Sequence, residues 1–321
     1  MAPAQAARYT SVMPQPPRRP GPPGKPGSKP AYGGRDKPFR REKAPGGVAP
    51  SGQRFRPWDE RRQTGEAPGT ARPKDPRSGE APPAVRNGFW LYGLHPVAAA
   101  LANPARRLRR LMLTTEAEAA LTGRLPPPWP LQPERVDRSR VDQLLGRETV
   151  HQGAALLADP LPQPGLATVL ERPGPVLVLD QVSDPRNVGA VLRSAAAFGA
   201  ACVITQERNA PDETGALAKA ASGALETVPV LRAVNIARTL AALKAAGLWC
   251  VGLDAGAPPL RGESLAGRRV ALVLGAEGTG LRRLVRETCD EVAGLAMQGG
   301  MESLNVAAAA TVALYELGRA P

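Results

Sequence analysis

The stretch Val176-Leu-Val-Leu-Asp-Gln-Val-Ser-Asp-Pro-Arg-Asn-Val-Gly-Ala-Val-Leu-Arg193 carries the pattern that decides the fold class. Its first four residues are a continuous apolar run, which is typical of a strand buried on both faces of a parallel sheet. The Asp-Pro-Arg-Asn turn that follows favours the start of a helix, which we predict over residues 187–198. The stretch therefore predicts a strand–turn–helix unit of an α/β fold.

The same alternation continues towards the carboxyl terminus. We predict strands at residues 202–205, 228–231, 249–253, 270–274 and 292–296, and helices at residues 214–221, 236–246, 281–288 and 303–317. Strands that alternate with helices imply a parallel sheet covered on both faces, and ligands bind beyond the carboxyl ends of such strands. Residues 175–321 are therefore predicted to form the domain that carries the chemistry.

A smaller α/β domain is predicted over residues 88–160. Its strands are expected at residues 89–94, 108–113 and 154–158, and its helices at residues 95–101, 116–121 and 139–145. The Pro-rich stretch between Pro160 and Pro175 interrupts both kinds of element, so we predict a linker at residues 161–174.

Residues 1–87 differ in composition from the rest. They contain 18 Pro and 11 Gly, and 18 Lys and Arg against 7 Asp and Glu. Their net charge of +11 accounts for most of the +13 of the whole chain. We predict a disordered basic tail. Two interpretations of it stay open: loose binding to an RNA backbone, and a solvated linker without a specific partner.

Several protein classes are disfavoured. No apolar run approaches the roughly 20 residues of a membrane span, and no signal-peptide core is visible, so a cytoplasmic protein that does not bind membranes is predicted. Cys202, Cys250 and Cys289 lie far apart in apolar runs, which favours reduced, buried thiols. The two histidines, His95 and His151, are remote from these cysteines and from carboxylate clusters. We therefore expect neither a metal site nor Cys–His or Ser–His nucleophilic chemistry.

Polar residues and glycines concentrate in three segments. The first holds Asn187 and, on one helical face, Gly189 and Arg193; an N-cap followed by a solvated arginine is the alternative interpretation. The second is Leu274-Gly-Ala-Glu-Gly-Thr-Gly280, a loop able to wrap a ligand around Glu277. It lacks the Gly-Lys-Ser/Thr ending of a P-loop, and an ordinary strand–helix turn is its alternative.

The third segment, Met297-Gln-Gly-Gly-Met-Glu-Ser-Leu-Asn-Val306, precedes an Ala-rich helix. Serine at position 303 is a suitable cap for that helix, whereas Asn305 would lie one turn inside it, where asparagine is a mediocre helix former. The glycine pair permits close approach of a ligand to the backbone. We therefore predict a binding site here.

Together the three segments resemble the motifs of the SpoU (TrmH) family of RNA 2′-O-methyltransferases, in the same order. They match N-x-G-x-x-x-R, L-G-x-E-G-x-G and M-x-G-x-x-x-S-L-N-V. The stretch Tyr92-Gly-Leu-His-Pro-Val-Ala-Ala-Ala-Leu101 is similar to the start of the family's RNA-binding unit. The branch that methylates guanosine in 23S rRNA is the most similar.

The resemblance implies a trefoil-knotted SPOUT methyltransferase domain, preceded by a small α/β RNA-binding domain of the L30e/L7Ae-like type. It also implies S-adenosylmethionine as cofactor, RNA as substrate and a homodimer. Strand–helix alternation alone suggests an ordinary open sheet, because threaded chains are very rare. The family's cofactor-binding positions fall here on Leu274, Gly275, Leu295, Met297, Gly299 and Leu304.

The resemblance also assigns chemistry to five polar residues. Glu277, Ser303 and Asn305 would orient cofactor and nucleotide, while Asn187 and Arg193 would face the RNA. Arg193 is the leading candidate for activating the hydroxyl. A free guanidinium has a pKa above about 12, so stabilising a developing alkoxide suits it better than accepting a proton, and the general base is left unassigned.

Two alternatives to a 23S rRNA methyltransferase remain open. The first is a tRNA 2′-O-methyltransferase, which the separate front domain disfavours. The second is a non-catalytic RNA-binding or ribosome-assembly factor, which has little need for all five polar residues together.

Overall fold

The computed structural model describes residues 88–319, which fold around two β-sheets. The first sheet has four strands in the order β1-β4-β2-β3. Its elements are β1 (Phe89–Tyr92), α1 (Leu94–Ala102), β2 (Leu108–Leu113), α2 (Thr115–Thr122), β3 (Glu134–Arg135), α3 (Arg138–Leu145) and β4 (Ala154–Ala158). These residues, 88–160, are called the front segment below. The short strand β3 had not been predicted.

The second sheet has six parallel strands in the order β10-β8-β9-β5-β6-β7. Its strands are β5 (Val176–Leu179), β6 (Cys202–Gln206), β7 (Val230–Ala233), β8 (Trp249–Leu253), β9 (Val270–Leu274) and β10 (Glu291–Ala293). The associated helices are α4 (Leu166–Leu170), α5 (Pro185–Ala197), α6 (Gly215–Ala221), α7 (Ile236–Ala245), α8 (Arg283–Thr288) and α9 (Val306–Gly318), with 3₁₀ turns at Ala224–Glu226 and Gly262–Leu265. The predicted α/β class and parallel sheet are confirmed.

Both faces of the parallel sheet are buried, and alternate residues of each strand serve opposite faces. Leu177 and Leu179 of β5 pack with α5, α6 and α9, whereas Val176 and Val178 pack with α4, α7 and α8. All four are fully buried, and each such burial stabilises the fold by roughly 1.5–3 kcal/mol. This two-sided burial explains the unbroken apolar run of the sequence.

The front segment packs on the α5–α6 face and shares its core with it. At the contact, a Cβ on Gly215 would lie 2.4 Å from the Trp90 carbonyl oxygen, so α6 begins directly against β1. Arg106 also stabilises this contact. Its buried guanidinium donates to Glu226 Oε1 at 2.7 Å, to Glu213 Oε2 at 2.7 Å and to the Asp159 carbonyl at 2.9 Å.

The stretch predicted as a linker contains the helix α4. Its Leu-Ala-Thr-Val-Leu sequence is free of proline, and Val169 is buried in the core. Arg269 holds the helix exit by donating to the Leu170 carbonyl at 2.7 Å, the Arg172 carbonyl at 2.5 Å and the Gly174 carbonyl at 3.2 Å. The high proline content predicted a linker here, but the five residues of α4 fit between two prolines.

Two helix starts differ from the prediction. The last helix begins at Val306 and not at residue 303, with Asn305 as its N-cap in place of serine. The cap of α5 is Asp184, whose carboxylate accepts from the Arg186 N–H at 2.9 Å, so Asn187 is not a cap. In both cases the asparagine side chain is directed at other polar groups. Strand β10 is also shorter than predicted and ends at Ala293.

The predicted tail, residues 1–87, lies outside the described residues. Between residues 88 and 319, no helix combines the length and the apolar character that a membrane span requires.

Candidate active site

Four loops gather at the carboxyl edge of the parallel sheet, after the neighbouring strands β10, β8, β9 and β5. The loop after β9 turns back on itself, since the Gly280 N–H donates to the Ala276 carbonyl at 2.9 Å. A Cβ on Gly275 would lie 2.1 Å from the Gly280 carbonyl carbon, so only glycine fits at the entrance of this turn. The three glycines of the second motif therefore shape a closed loop.

Asp180, at the end of β5, fixes the exit of that loop. It is fully buried, and its carboxylate accepts from Arg282 at Nε (2.8 Å), Nη2 (2.5 Å) and the backbone N–H (3.1 Å). Charge-assisted bonds of this kind are among the stronger ones in proteins. Sequence analysis gave Asp180 no role, although a carboxylate that directly follows a fully buried strand was a usable signal.

One side chain from each of the three motifs meets the others in front of this loop. Asn187 Nδ2 donates to Glu277 Oε1 at 3.0 Å. Asn305 Nδ2 donates to the same oxygen at 2.8 Å and to Asn187 Oδ1 at 2.9 Å. Residues that are 90 and 118 positions apart in the chain thus form one hydrogen-bonded cluster, called the Asn–Glu–Asn cluster below.

The helix α9 fixes the orientation of the Asn305 amide. Its Oδ1 accepts from the N–H groups of Ala307 at 2.9 Å and Ala308 at 3.4 Å, so this atom must be the oxygen. Both protons of Nδ2 are then used within the Asn–Glu–Asn cluster. Glu277 keeps its second oxygen, Oε2, without a hydrogen-bond partner among residues 88–319, and that oxygen can accept a proton or a ligand donor.

A cleft of about 320 Å³ opens beside the Asn–Glu–Asn cluster. The predicted site residues that line it are Leu274, Gly275, Glu277, Leu295, Met297, Ser303 and Leu304. Ser303 is exposed and makes no hydrogen bond to any described residue. Gly299 lies outside the cleft and has no neighbour within 4 Å of where its Cβ would be. Within the part of the chain that the structure describes, no group of three or more His, Cys, Asp or Glu side chains could hold a metal.

Arg193 lies away from this cleft, on the exposed side of α5. Arg193 lies six positions after Asn187, and this corresponds to about 9 Å along the helix axis. It lines a second cleft, together with His95 and Arg124 of the front segment. Gly189, one turn before it, is buried where α5 meets α6, and a Cβ there would lie 2.4 Å from the Leu217 carbonyl oxygen. The glycine of the first motif therefore serves helix packing.

Comparison with known proteins decides the family. Residues 174–315 match the model of the SpoU rRNA methylase family, and residues 90–164 match that of the RNA 2′-O ribose methyltransferase substrate-binding domain. A curated relative, the 23S rRNA (guanosine-2′-O-)-methyltransferase RlmB of Bordetella pertussis, is 38% identical over 243 residues, which cover 70% of this chain and 95% of the relative. The chain belongs to the SpoU methylase family.

Solved structures of SpoU methylases have the same fold. An RNA 2′-O ribose methyltransferase aligns with a TM-score of 0.59 at 26% identity and covers 73% of this chain and 88% of its own. AviRb from Streptomyces viridochromogenes, solved in complex with AdoMet, aligns with a TM-score of 0.59 at 23% identity and covers 73% and 90%. At that identity AviRb supports the fold alone.

Proposed function

We propose that the protein transfers the methyl group of S-adenosylmethionine to the ribose 2′-hydroxyl of a guanosine in 23S rRNA. The observation that carries this proposal is the Asn–Glu–Asn cluster, in which Asn187, Glu277 and Asn305 of the three motifs meet at one cleft. The curated relatives named as 23S rRNA guanosine methyltransferases support the substrate.

The cleft beside the cluster is suited to the cofactor. Its volume of about 320 Å³ is within the usual range for small-molecule sites. Leu295 and Leu304 offer apolar walls for an adenine ring, and the close-packed loop at Gly275 presents backbone groups without side chains. When bound, S-adenosylmethionine supplies an electrophilic methyl group on its sulfonium.

The chain's own residues then position the hydroxyl. Holding the reactants in place supplies a large part of the rate acceleration in such transfers. Glu277 and Ser303 orient the nucleotide and the cofactor, since the Glu277 Oε2 and the Ser303 hydroxyl have no hydrogen-bond partner among residues 88–319. Arg193, which lies outside the cofactor cleft, binds the RNA backbone, because its guanidinium pairs well with oxyanions.

The homodimer is also part of the proposal. Helices α5 and α9 expose an apolar surface in which Phe198 is 37%, Val312 45% and Tyr315 56% accessible. The Phe198 and Tyr315 rings pack edge to face at 6.5 Å between centroids. A second copy of the chain is its proposed occupant. Sedimentation velocity of wild type and Tyr315→Glu tests this, and two monomeric samples would contradict it.

The trefoil knot is proposed for the region after β8. The Gly294 N–H donates to the Pro258 carbonyl at 2.7 Å, and the Leu260 N–H donates to the Gly294 carbonyl at 2.7 Å. The chain leaving β10 therefore runs against the loop that follows β8, before α9 returns to pack on α5. An experimentally determined chain trace through residues 254–306 tests this assignment.

The front segment is proposed as the L30e/L7Ae-like RNA-binding domain, joined by residues 161–174 to the catalytic domain at 175–321. Its four-stranded sheet with α1–α3 supports this role, as does the match to the substrate-binding model. We also propose a cytoplasmic location, which a ribosomal RNA substrate supports.

Methyl transfer from labelled S-adenosylmethionine to 23S rRNA, 16S rRNA and tRNA tests the proposed function, with nucleoside analysis of the product. We expect 2′-O-methylguanosine in 23S rRNA only. Label in tRNA would replace the proposed substrate. Absence of label in free RNA and in ribosomal particles, with cofactor binding intact, would favour a binding factor.

A further inference from the structure

The second cleft, about 420 Å³ in volume, lies between the front segment and the helices α5 and α6. Its front wall carries His95 and Arg124, and its opposite wall carries Arg193 and Ser222. Both parts of the structure therefore contribute to one surface. It is separate from the cleft beside the Asn–Glu–Asn cluster, with which it shares no lining residue.

The charge of this cleft is positive and uncompensated. No Asp or Glu is among the described residues that line it. Within residues 88–319, neither Arg124 nor Arg193 forms an ion pair with a carboxylate. By contrast, Arg106, Arg110 and Arg135 of the front segment all have carboxylate partners. Like charges held together without counter-charges repel one another, so an anionic ligand would relieve the repulsion.

The His95 ring is influenced by the same positive charges. Arg124 Nη1 lies 2.9 Å from His95 Nε2, and because arginine can only donate, that nitrogen must be the unprotonated one. Burial lowers the pKa of His95, and the nearby charges of Arg124, Lys219 and Arg193 lower it further. The ring is thus held neutral and fixes the Arg124 guanidinium at the cleft.

Lys219 of α6 does not line the cleft, but it lies close enough to His95 to lower the pKa of that ring. Its Nζ donates to Gln152 Oε1 at 2.6 Å, and Gln152 adopts a positive φ of 54°. Gly93 lies against that Nζ and has a positive φ of 89°, which favours glycine. Partial burial lowers the pKa of Lys219, and its one hydrogen-bond partner among residues 88–319 is a neutral amide, which leaves donors for a ligand.

We propose that this cleft binds the phosphodiester backbone of the RNA substrate next to the methylated nucleotide, with Arg124 and Lys219 as direct phosphate contacts. The inference rests on the proposed function, since the bound RNA is the methyl acceptor. Arg193 faces the same cleft, so a phosphate held by Arg124 and Lys219 places the adjoining RNA backbone beside Arg193. Phosphate contacts fix the register of a nucleic acid and carry no sequence preference themselves.

The variants Arg124→Gln and Lys219→Gln test this inference, and Arg238→Gln is the matched control. Arg238 is an exposed arginine on α7, on the opposite face of the sheet. For each cleft variant we expect the Kd for 23S rRNA to rise roughly tenfold, as for a lost hydrogen bond to a charged group. The slope of log Kd against log salt should flatten by about 0.7–0.9 per lost phosphate contact. Arg124→Lys should keep that slope.

A further measurement separates this role from a structural one. The KM for RNA should rise more than kcat falls in the two glutamine variants, while S-adenosylmethionine affinity stays at the wild-type value. Wild-type Kd and salt slope in both variants would overturn the cleft assignment alone. Charge-dependent RNA binding in a wild-type protein that transfers no methyl group would instead overturn the proposed function and leave the cleft intact.

Discussion

Asn305 donates to Glu277 Oε1 across 2.8 Å while its own Oδ1 caps the last helix. The same side chain thus caps the start of α9 and belongs to the Asn–Glu–Asn cluster. The two roles use different atoms, so substitutions can separate them.

Asn305→Ser should retain the helix cap and lose the two amide donors. Asn305→Ala should lose the helix cap as well as the two donors. Since serine caps about as well as asparagine, only the alanine variant should lose stability, by roughly 1 kcal/mol. Both variants should lose at least about tenfold in methyl transfer, because Glu277 and Asn187 lose their shared donor. Thermal melts and turnover of the two proteins measure this. Full activity of the serine variant would reduce Asn305 to a helix cap.

Arg193→Lys should lower the rate of methyl transfer by at least about tenfold, since an ammonium cannot reproduce the planar fork of a guanidinium. Affinity for S-adenosylmethionine should not change, because Arg193 lies outside the cleft assigned to the cofactor. Single-turnover kinetics and calorimetric titration provide the two readouts. Wild-type turnover would remove Arg193 from the mechanism.

Arg106→Ala should lower the free energy of unfolding by about 3–5 kcal/mol, because it leaves two carboxylates without their buried partner. The side chain of Arg106 is 0% exposed, and that of Glu226 is 3% exposed. Arg107→Ala is the control, since that neighbouring side chain is 88% exposed, and it should leave stability nearly unchanged. Urea denaturation compares them; equal midpoints would contradict the prediction.

Alkaline pH should destabilise the protein through its buried thiols. Burial raises the pKa of Cys202 to about 11 and that of Cys250 to about 12. Thiols of the unfolded chain ionise near pH 8.5. A raised folded pKa means that this stability is fully present below about pH 8.5 and is lost as pH rises towards 11. Urea denaturation at pH 8 and pH 10.5 measures this. Between these pH values, the Cys202→Ala/Cys250→Ala variant should lose less free energy of unfolding than the wild type, and an equal loss would contradict the prediction.

Deleting residues 1–87 should weaken RNA binding and flatten its salt dependence while methyl transfer persists. The reason is the net charge of +11 in that segment, which can release counterions from RNA. Anisotropy titrations at several salt concentrations measure this. An unchanged salt slope would support the interpretation as a solvated linker.

Strands β4, β5 and β9 were predictable because burial on both faces leaves a continuous apolar run. Strands β2, β4, β5, β8 and β9 have the predicted bounds. The start of α9 was not predictable in this way, because serine and asparagine cap helices about equally well, so the sequence alone could not choose between Ser303 and Asn305.

The two candidate sites also differ in how far the sequence predicted them. The three motifs were recognisable in the sequence, but their meeting through Asn187, Glu277 and Asn305 needed the sheet order. The sequence did not predict the second cleft, although it singled out Arg193, which lines it. Arg124 and Lys219 are 95 positions apart, and neither lies in one of the three motifs.

The buried ion pairs of Arg106 with Glu213 and Glu226 join the front segment to the helices on the parallel sheet. If the front segment binds the RNA and the carboxyl edge of the sheet delivers the methyl group, as proposed, these ion pairs help to set the separation between the two sites. We then expect the choice of nucleotide to depend on the RNA, which must fold so that one ribose reaches the cofactor cleft while the front segment is bound.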